Sequence, residues 1–180
     1  MRRFVIVSGL PASGKSTLAR ALATELSLPH FDKDHFLEAR FERNSEPWSM
    51  ELRTFLSREA DEDFWDAAMQ SPIAILSSWW RHPMSQSASG TDTRWLQAAD
   101  VTLAEIQCVV PVDVALERFI ARQRHPGHMD RSRSAADLRA QFDEALALGP
   151  LFPDRAIVVD TQWPLTVEAL QSLARAARMA

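Results

Sequence analysis

Short apolar runs and longer amphipathic stretches alternate along this chain. Runs rich in Val, Ile and Leu recur at residues 4–7, around 29–31, at 73–76, 106–110 and 156–159. Their length and β-branched content predict buried strands. Between them, residues 15–26, 50–69, 114–123, 135–146 and 167–177 place apolar side chains at helical spacing. In the second of these helices Leu52, Phe55, Leu56, Phe64 and Trp65 are mixed with charge. Its Glu59, Asp61, Glu62 and Asp63 read as a solvated face and not as a metal cluster. Strands alternating with helices make βαβ units, hence a parallel sheet covered on both faces, with right-handed crossovers limiting the topology. Ser134 with Asp137 three residues on resembles a capping box, and Thr166 after Pro164 is placed to cap the last helix. With no internal repeat and no low-complexity tract, the pattern predicts one α/β domain over 1–180.

Two polar stretches are long enough to be functional loops, 80–93 and 124–133, the second with Pro126-Gly127 between arginines. A third loop carries the strongest chemical signal. Gly9-Leu-Pro-Ala-Ser-Gly-Lys-Ser-Thr17 matches G-x-x-x-x-G-K-[ST] in full. It follows a predicted strand and opens a predicted helix, so several backbone N–H groups and a helix dipole aim at one anion. Gly9, Pro11, Ala12, Ser13, Gly14, Lys15, Ser16 and Thr17 are therefore expected to wrap the phosphates of ATP. Lys15 would reach the β- and γ-phosphates, and the Ser16 hydroxyl would ligate Mg²⁺.

Composition narrows the possibilities. Of 20 basic residues 18 are Arg and two are Lys, Lys15 and Lys33, so a lysine at the loop position meets the need for a compact charge on phosphate. A net charge of −4 supplies no global basic field and argues against broad binding to nucleic acid or membrane surfaces. No apolar run approaches the ~18 residues of a membrane span, and the single Cys108 suits a reducing compartment. The expectation is a cytoplasmic protein.

Phe31-Asp-Lys-Asp-His-Phe36 ends a predicted strand. In an open parallel sheet the carboxyl ends of neighbouring strands share a crevice with the phosphate loop. Read as alternate positions of an extended chain, Asp34 is the expected general base and Asp32 the expected water-mediated contact to Mg²⁺. The phosphate loop followed by Asp-Lys-Asp resembles the small P-loop kinases. These include shikimate kinase, gluconate kinase, the chloramphenicol phosphotransferase, zeta toxins and polynucleotide kinase domains, within the wider AAA-type ATP-binding proteins. The resemblance implies a three-layer αβα P-loop fold of sheet order 2-3-1-4-5. It also implies an Asp after the second strand, here Asp34, that binds the acceptor hydroxyl or takes its proton.

The third strand lacks the terminal Asp of a Walker B pattern, which leaves Mg²⁺ to Ser16, the phosphates and Asp32. Trp79-Trp80-Arg81 leaves that strand's end. One Trp is expected to pack and the other to line a mouth, with Arg81 placed to hold an anionic group. Arg118 and Arg122 are four apart on the third predicted helix and precede the 124–133 segment. By resemblance that segment is a lid over ATP: Arg118 and Arg122 lie near the base or phosphates, and Arg124 and Arg131 stabilise the transferred group. The loop 160–164 would border the adenine. Polynucleotide kinases carry an Arg where this chain has Leu37; Arg40, a helical turn on, is the remaining candidate contact for such an acceptor. The expected activity is ATP-dependent phosphoryl transfer to a hydroxyl of a small molecule. Polynucleotide 5′-kinase activity and a non-transferring ATP-binding module are the alternatives.

Overall fold

The computed structural model describes residues 1–45, 47–97 and 100–179. Five parallel strands form one sheet in the order β2-β3-β1-β4-β5, as expected: β1 (Arg2–Gly9), β2 (His30–Asp32), β3 (Ile73–Ser77), β4 (Val101–Val109) and β5 (Ala156–Asp160). The helices are α1 (Lys15–Leu26), α2 (Lys33–Glu42), α3 (Met50–Gln70), α4 (Val112–Ala121), α5 (Ala135–Leu148) and α6 (Val167–Met179). Among the described residues, no helix is long and apolar enough to cross a membrane.

Period-two burial on β1 builds both cores. Val5 and Val7 face α1 and α6 with Ile75, Ile106, Leu22 and Leu173, whereas Phe4 and Ile6 face α3 with Phe64, Leu76, Trp80 and Leu103. A third cluster joins α4 to α5 through Leu116, Phe119, Leu138 and Phe142. Glu105, wholly buried on β4, accepts from the Ser8 hydroxyl and from the backbone N–H groups of Leu151 and Phe152. Three donors offset the cost of taking a carboxylate out of water, and they pin the chain leaving α5 to the sheet.

Three expectations need correcting. The Asp-Lys-Asp segment is not extended: β2 ends at Asp32, whose side chain accepts from the Asp34 N–H and caps α2, a helix absent from the sequence reading. Such a cap is worth about 1 kcal/mol. The third predicted helix, observed as α4, starts two residues earlier, behind Pro111, and stops at Ala121. Arg122 consequently sits outside it with extended backbone, and Arg118 and Arg122 do not share a helical face. Finally, the α3 acids are not merely solvated, because Asp61 accepts from the Thr91 hydroxyl and lies 3.6 Å from Lys33.

Candidate active site

The phosphate loop is shaped by its backbone. Gly9 (φ 129°) and Gly14 (φ 94°) adopt conformations that favour glycine, and Ala12 (φ 62°) is held in the left-handed region. At Gly9 a Cβ would stand 2.3 Å from the Cys108 carbonyl oxygen, so only glycine fits. Gly14 precedes α1, whose first turn contains no acidic residue. The positive end of the helix dipole is thus left for an anion. Inside the loop the Ser13 hydroxyl is buried without a hydrogen-bond partner. Lys15 is buried and donates to the Leu10 carbonyl at 2.7 Å. Burial pulls its pKa down to about 8, against the opposing pull of Cys108, Asp34 and Asp32. An unpaired ammonium at a helix start, ringed by N–H donors, fits a polyphosphate. Ser16 is half-buried in that first turn and Asp32 is buried at the end of β2, so a hydroxyl and a carboxylate, both hard oxygen donors, are present for Mg²⁺.

Asp34 opens α2 at the carboxyl end of β2, and its half-exposed carboxylate lies 2.6 Å from an Arg124 guanidinium nitrogen. Burial alone would raise its pKa, but Arg124 first, then Lys33 and Lys15, hold it below the usual carboxylate range. Arg124 also lies 3.7 Å from Asp130, which pairs with Arg122 at 3.0 Å. The expected lid is two short 3₁₀ turns, Pro126–His128 and Asp130–Ser132, and here it is folded against α2 and α3. His125 stacks on Phe41 with ring centroids 5.1 Å apart, and Trp48 meets His125 edge-on. A Cβ on Gly127 would meet the Phe41 ring at 2.8 Å. His128 is buried, with its ring 3.0 Å from Glu38. Burial and the nearby Arg124 lower its pKa to about 3, so the neutral ring donates its Nε2–H to the carboxylate.

The remaining predicted residues are distributed as follows. Arg118 donates to the carbonyls of Thr161 and Gln162, at 3.3 and 2.6 Å. The Thr161 hydroxyl reaches the Ser13 carbonyl at 2.6 Å, so the loop after β5 is bound to both α4 and the phosphate loop. Arg122 lies over the Phe119 ring at 3.9 Å. Arg131 is exposed, and Thr17 is exposed on α1. Trp80 is the packing tryptophan, its indole N–H donating to the Val7 carbonyl at 3.1 Å in the core. Trp79 is half-buried against Phe142. Arg81 is engaged within its own loop, by the Gly90 carbonyl at 3.1 Å and Asp92 at 3.9 Å. Arg40 bonds Asp63 at 2.8 Å and Glu59 at 2.5 Å on α3.

Further polar side chains come into play, of which Arg133 belongs to the arginine-rich segment 124–133 already marked in the sequence. Arg53 of α3 donates to the His128 carbonyl at 2.9 Å, and Arg133 donates to Gln141 with its guanidinium 6.0 Å from the Trp79 ring centre. Among the described residues neither has a carboxylate within ion-pair distance. Lys33 is buried and donates to Ser57, and Thr91 joins Asp61 to Ser78 at 2.7 Å on each side. The signals were present but faint: Arg53, Ser57 and Asp61 are four apart on one helix, and Lys33 is the only lysine outside the phosphate loop.

The AAA domain family model matches residues 4–148. Over 152 residues the chain is 43% identical to the shikimate kinase of Paracidovorax citrulli, covering 82% of this chain and 76% of that protein. It belongs to the small P-loop kinases. A crystal structure described as that of a kinase from Chloroflexus aurantiacus superposes with a TM-score of 0.77 at 31% identity, covering 99% and 97% of the two chains. The gluconokinase of Sinorhizobium meliloti 1021 shares the fold, with a TM-score of 0.60 at 20% identity, covering 100% and 95%. As a small P-loop kinase the chain binds ATP and transfers phosphate to a hydroxyl acceptor, a small molecule.

Proposed function

We propose that Asp34 is the general base of this kinase and that its acceptor is a small hydroxylated molecule carrying an anionic group. The carrying observation is a pair of arginines without a carboxylate partner among the described residues. Arg53 donates to the His128 carbonyl within electrostatic reach of Asp34, and Arg133 is near enough to Arg53 for the two guanidinium charges to oppose each other. Burial disfavours the charge on both guanidinium groups, and a bound anion relieves that cost with charge-assisted, bidentate hydrogen bonds. Arg40, the residue a nucleic-acid acceptor would use, is occupied by Glu59 and Asp63, which favours the small-molecule reading.

In this reading Lys15 and the N–H groups of the phosphate loop hold the β- and γ-phosphates. Ser16 and Asp32 would hold Mg²⁺, which supplies charge neutralisation when bound. Asp34 accepts the proton of the acceptor hydroxyl as its oxygen attacks the γ-phosphorus, and ADP leaves. Arg124 exchanges Asp34 for the transferred phosphoryl group, so lid movement frees the base and neutralises the developing charge together. The acceptor's anion on Arg53 and Arg133 fixes which hydroxyl faces Asp34.

The test pairs hydroxy acids with their neutral methyl esters and follows ATP consumption. Turnover is expected with an acid and not with its ester. Arg53→Met should raise KM for that acid at least tenfold. Equal turnover of acid and ester, or an unchanged KM, would overturn the anionic-acceptor assignment.

A further inference from the structure

A second cavity lies apart from the crevice just described, between the loop that follows β3 and helix α5. Its floor is the paired strand positions Ser8 and Gln107, its walls Trp79 and Arg81 on one side and Ala145 and Leu148 on the other. Asp34, Arg53, Arg124 and Lys15 do not line it. The loop is strapped across at two points, to α5 and to the chain just beyond it. His82 bonds the Pro150 carbonyl at 3.1 Å, and the Ser85 hydroxyl lies 3.4 Å from Glu144.

Two polar groups inside it lack partners. Gln107 is nine-tenths buried, and no hydrogen bond involves its side-chain amide among the described residues. The Arg81 Nε–H is buried and unpaired, although the same guanidinium bonds Gly90 with another nitrogen. A buried donor left without a partner, as the Arg81 Nε–H is, is costly to keep. A native chain keeps such groups where a ligand or ordered water meets them. The walls beside them are apolar, with an indole face and aliphatic carbon.

We infer that this cavity is a second small-molecule site, for an uncharged, oxygen-rich ligand of the polyol or sugar class. The ligand is uncharged because the one arginine lining the cavity, Arg81, already shares Asp92, and the Glu144 carboxylate on the opposite wall disfavours an anion. Arg81 Nε–H donates to one oxygen. The Gln107 amide, donor and acceptor together, matches neighbouring hydroxyls. Trp79 and Leu148 cover the carbon face, the combination that an aromatic wall and an amide offer to a hydroxylated ring. Gly9 and Leu10 also border the cavity, and the Leu10 carbonyl holds Lys15, so an occupant touches the phosphate loop from behind. This site is independent of the acceptor assignment above.

The test is ligand-observed saturation-transfer NMR on the full chain with glycerol, erythritol, D-ribose and D-glucose, each to about 10 mM. Saturable binding of at least one probe is expected. Gln107→Leu, which removes the amide, should weaken it at least tenfold, and Ala145→Leu, which fills the cavity without deleting a polar group, should do the same. Asp34→Asn should leave it unchanged. Absence of saturable binding by any probe would overturn the inference. So would binding that survives both cavity variants, or binding lost in Asp34→Asn, which would put the probe in the acceptor crevice.

Discussion

At the scale of single residues, Lys15 and Asp34 carry opposite assignments for physical reasons visible around them. Lys15 is buried without a carboxylate partner, so its pKa falls to about 8; bound triphosphate would restore the charge. Binding near that pH should therefore take up a proton. The affinity for a non-hydrolysable ATP analogue should decline as pH rises through 8, and calorimetry in buffers of different ionisation enthalpy reads both effects. Lys15→Ala should weaken binding sharply at pH 7 and abolish the pH dependence. Affinity that is flat from pH 6 to 10 (about two units either side of the group) would contradict the assignment. Asp34 is held ionised by Arg124, Lys33 and Lys15 against its partial burial. Its folded pKa lies below the ordinary carboxylate value, so the proton-accepting form is present throughout the neutral range and is lost only as pH falls through that lowered value. The pH profile of kcat/KM, which reports the free enzyme where Arg124 still pairs with Asp34, should therefore show no acid limb near pH 5–6, whereas a limb in that range would point to a different base.

Among the elements, the segment 124–133 is the one that the proposed function makes a lid. His128 is buried and neutral with a folded pKa of about 3 against an ordinary 6.5. A depressed histidine favours folding above its unfolded pKa. The docked arrangement is thus fully stabilised above 6.5 and loses that contribution as pH falls from there towards 3. Proton NMR of the His128 ring should show no titration near 6.5, and a midpoint at 6.5 would mean that the segment is not docked on α2. Gly127→Ala adds a Cβ 2.8 Å from the Phe41 ring. It should undock the turn and speed trypsin cleavage after Arg131 and Arg133, while leaving the thermal unfolding of the sheet domain within a few degrees. Undiminished protection of those bonds would show that Phe41 yields instead. These contacts explain why the sequence was readable only in part. The strands, α1 and α3 announce themselves through local periodicity. Helix α2 buries only Leu37 and Phe41 of its apolar residues, and its start is written in Asp32, a cap easily taken for chemistry alone. Docking of the lid joins residues 41 and 125 or 53 and 128, pairings that no local pattern encodes. The shift of α4 by two residues follows from Pro111, which starts that helix where it could equally have ended a strand.

For the whole molecule, the parallel sheet gathers the carboxyl ends of β1, β2 and β3 so that the phosphate loop, Asp32 and Asp34 converge. The arginines proposed to hold the acceptor come from α3 and from the segment before α5, so that proposed side of the site draws on parts distant in sequence. The central claim is that this assembly transfers the γ-phosphoryl group to an acceptor hydroxyl with Asp34 as base. The most direct measurement is ³¹P NMR of MgATP incubated with a library of small hydroxylated acids, comparing the wild-type chain with Asp34→Asn, a near-isosteric change. The account predicts a phosphomonoester formed mole for mole with ADP by the wild-type chain, and a rate lower by about 10²–10⁴ in Asp34→Asn with ATP-analogue affinity nearly intact. Full activity in Asp34→Asn, or ADP appearing only with inorganic phosphate across the library, would contradict it.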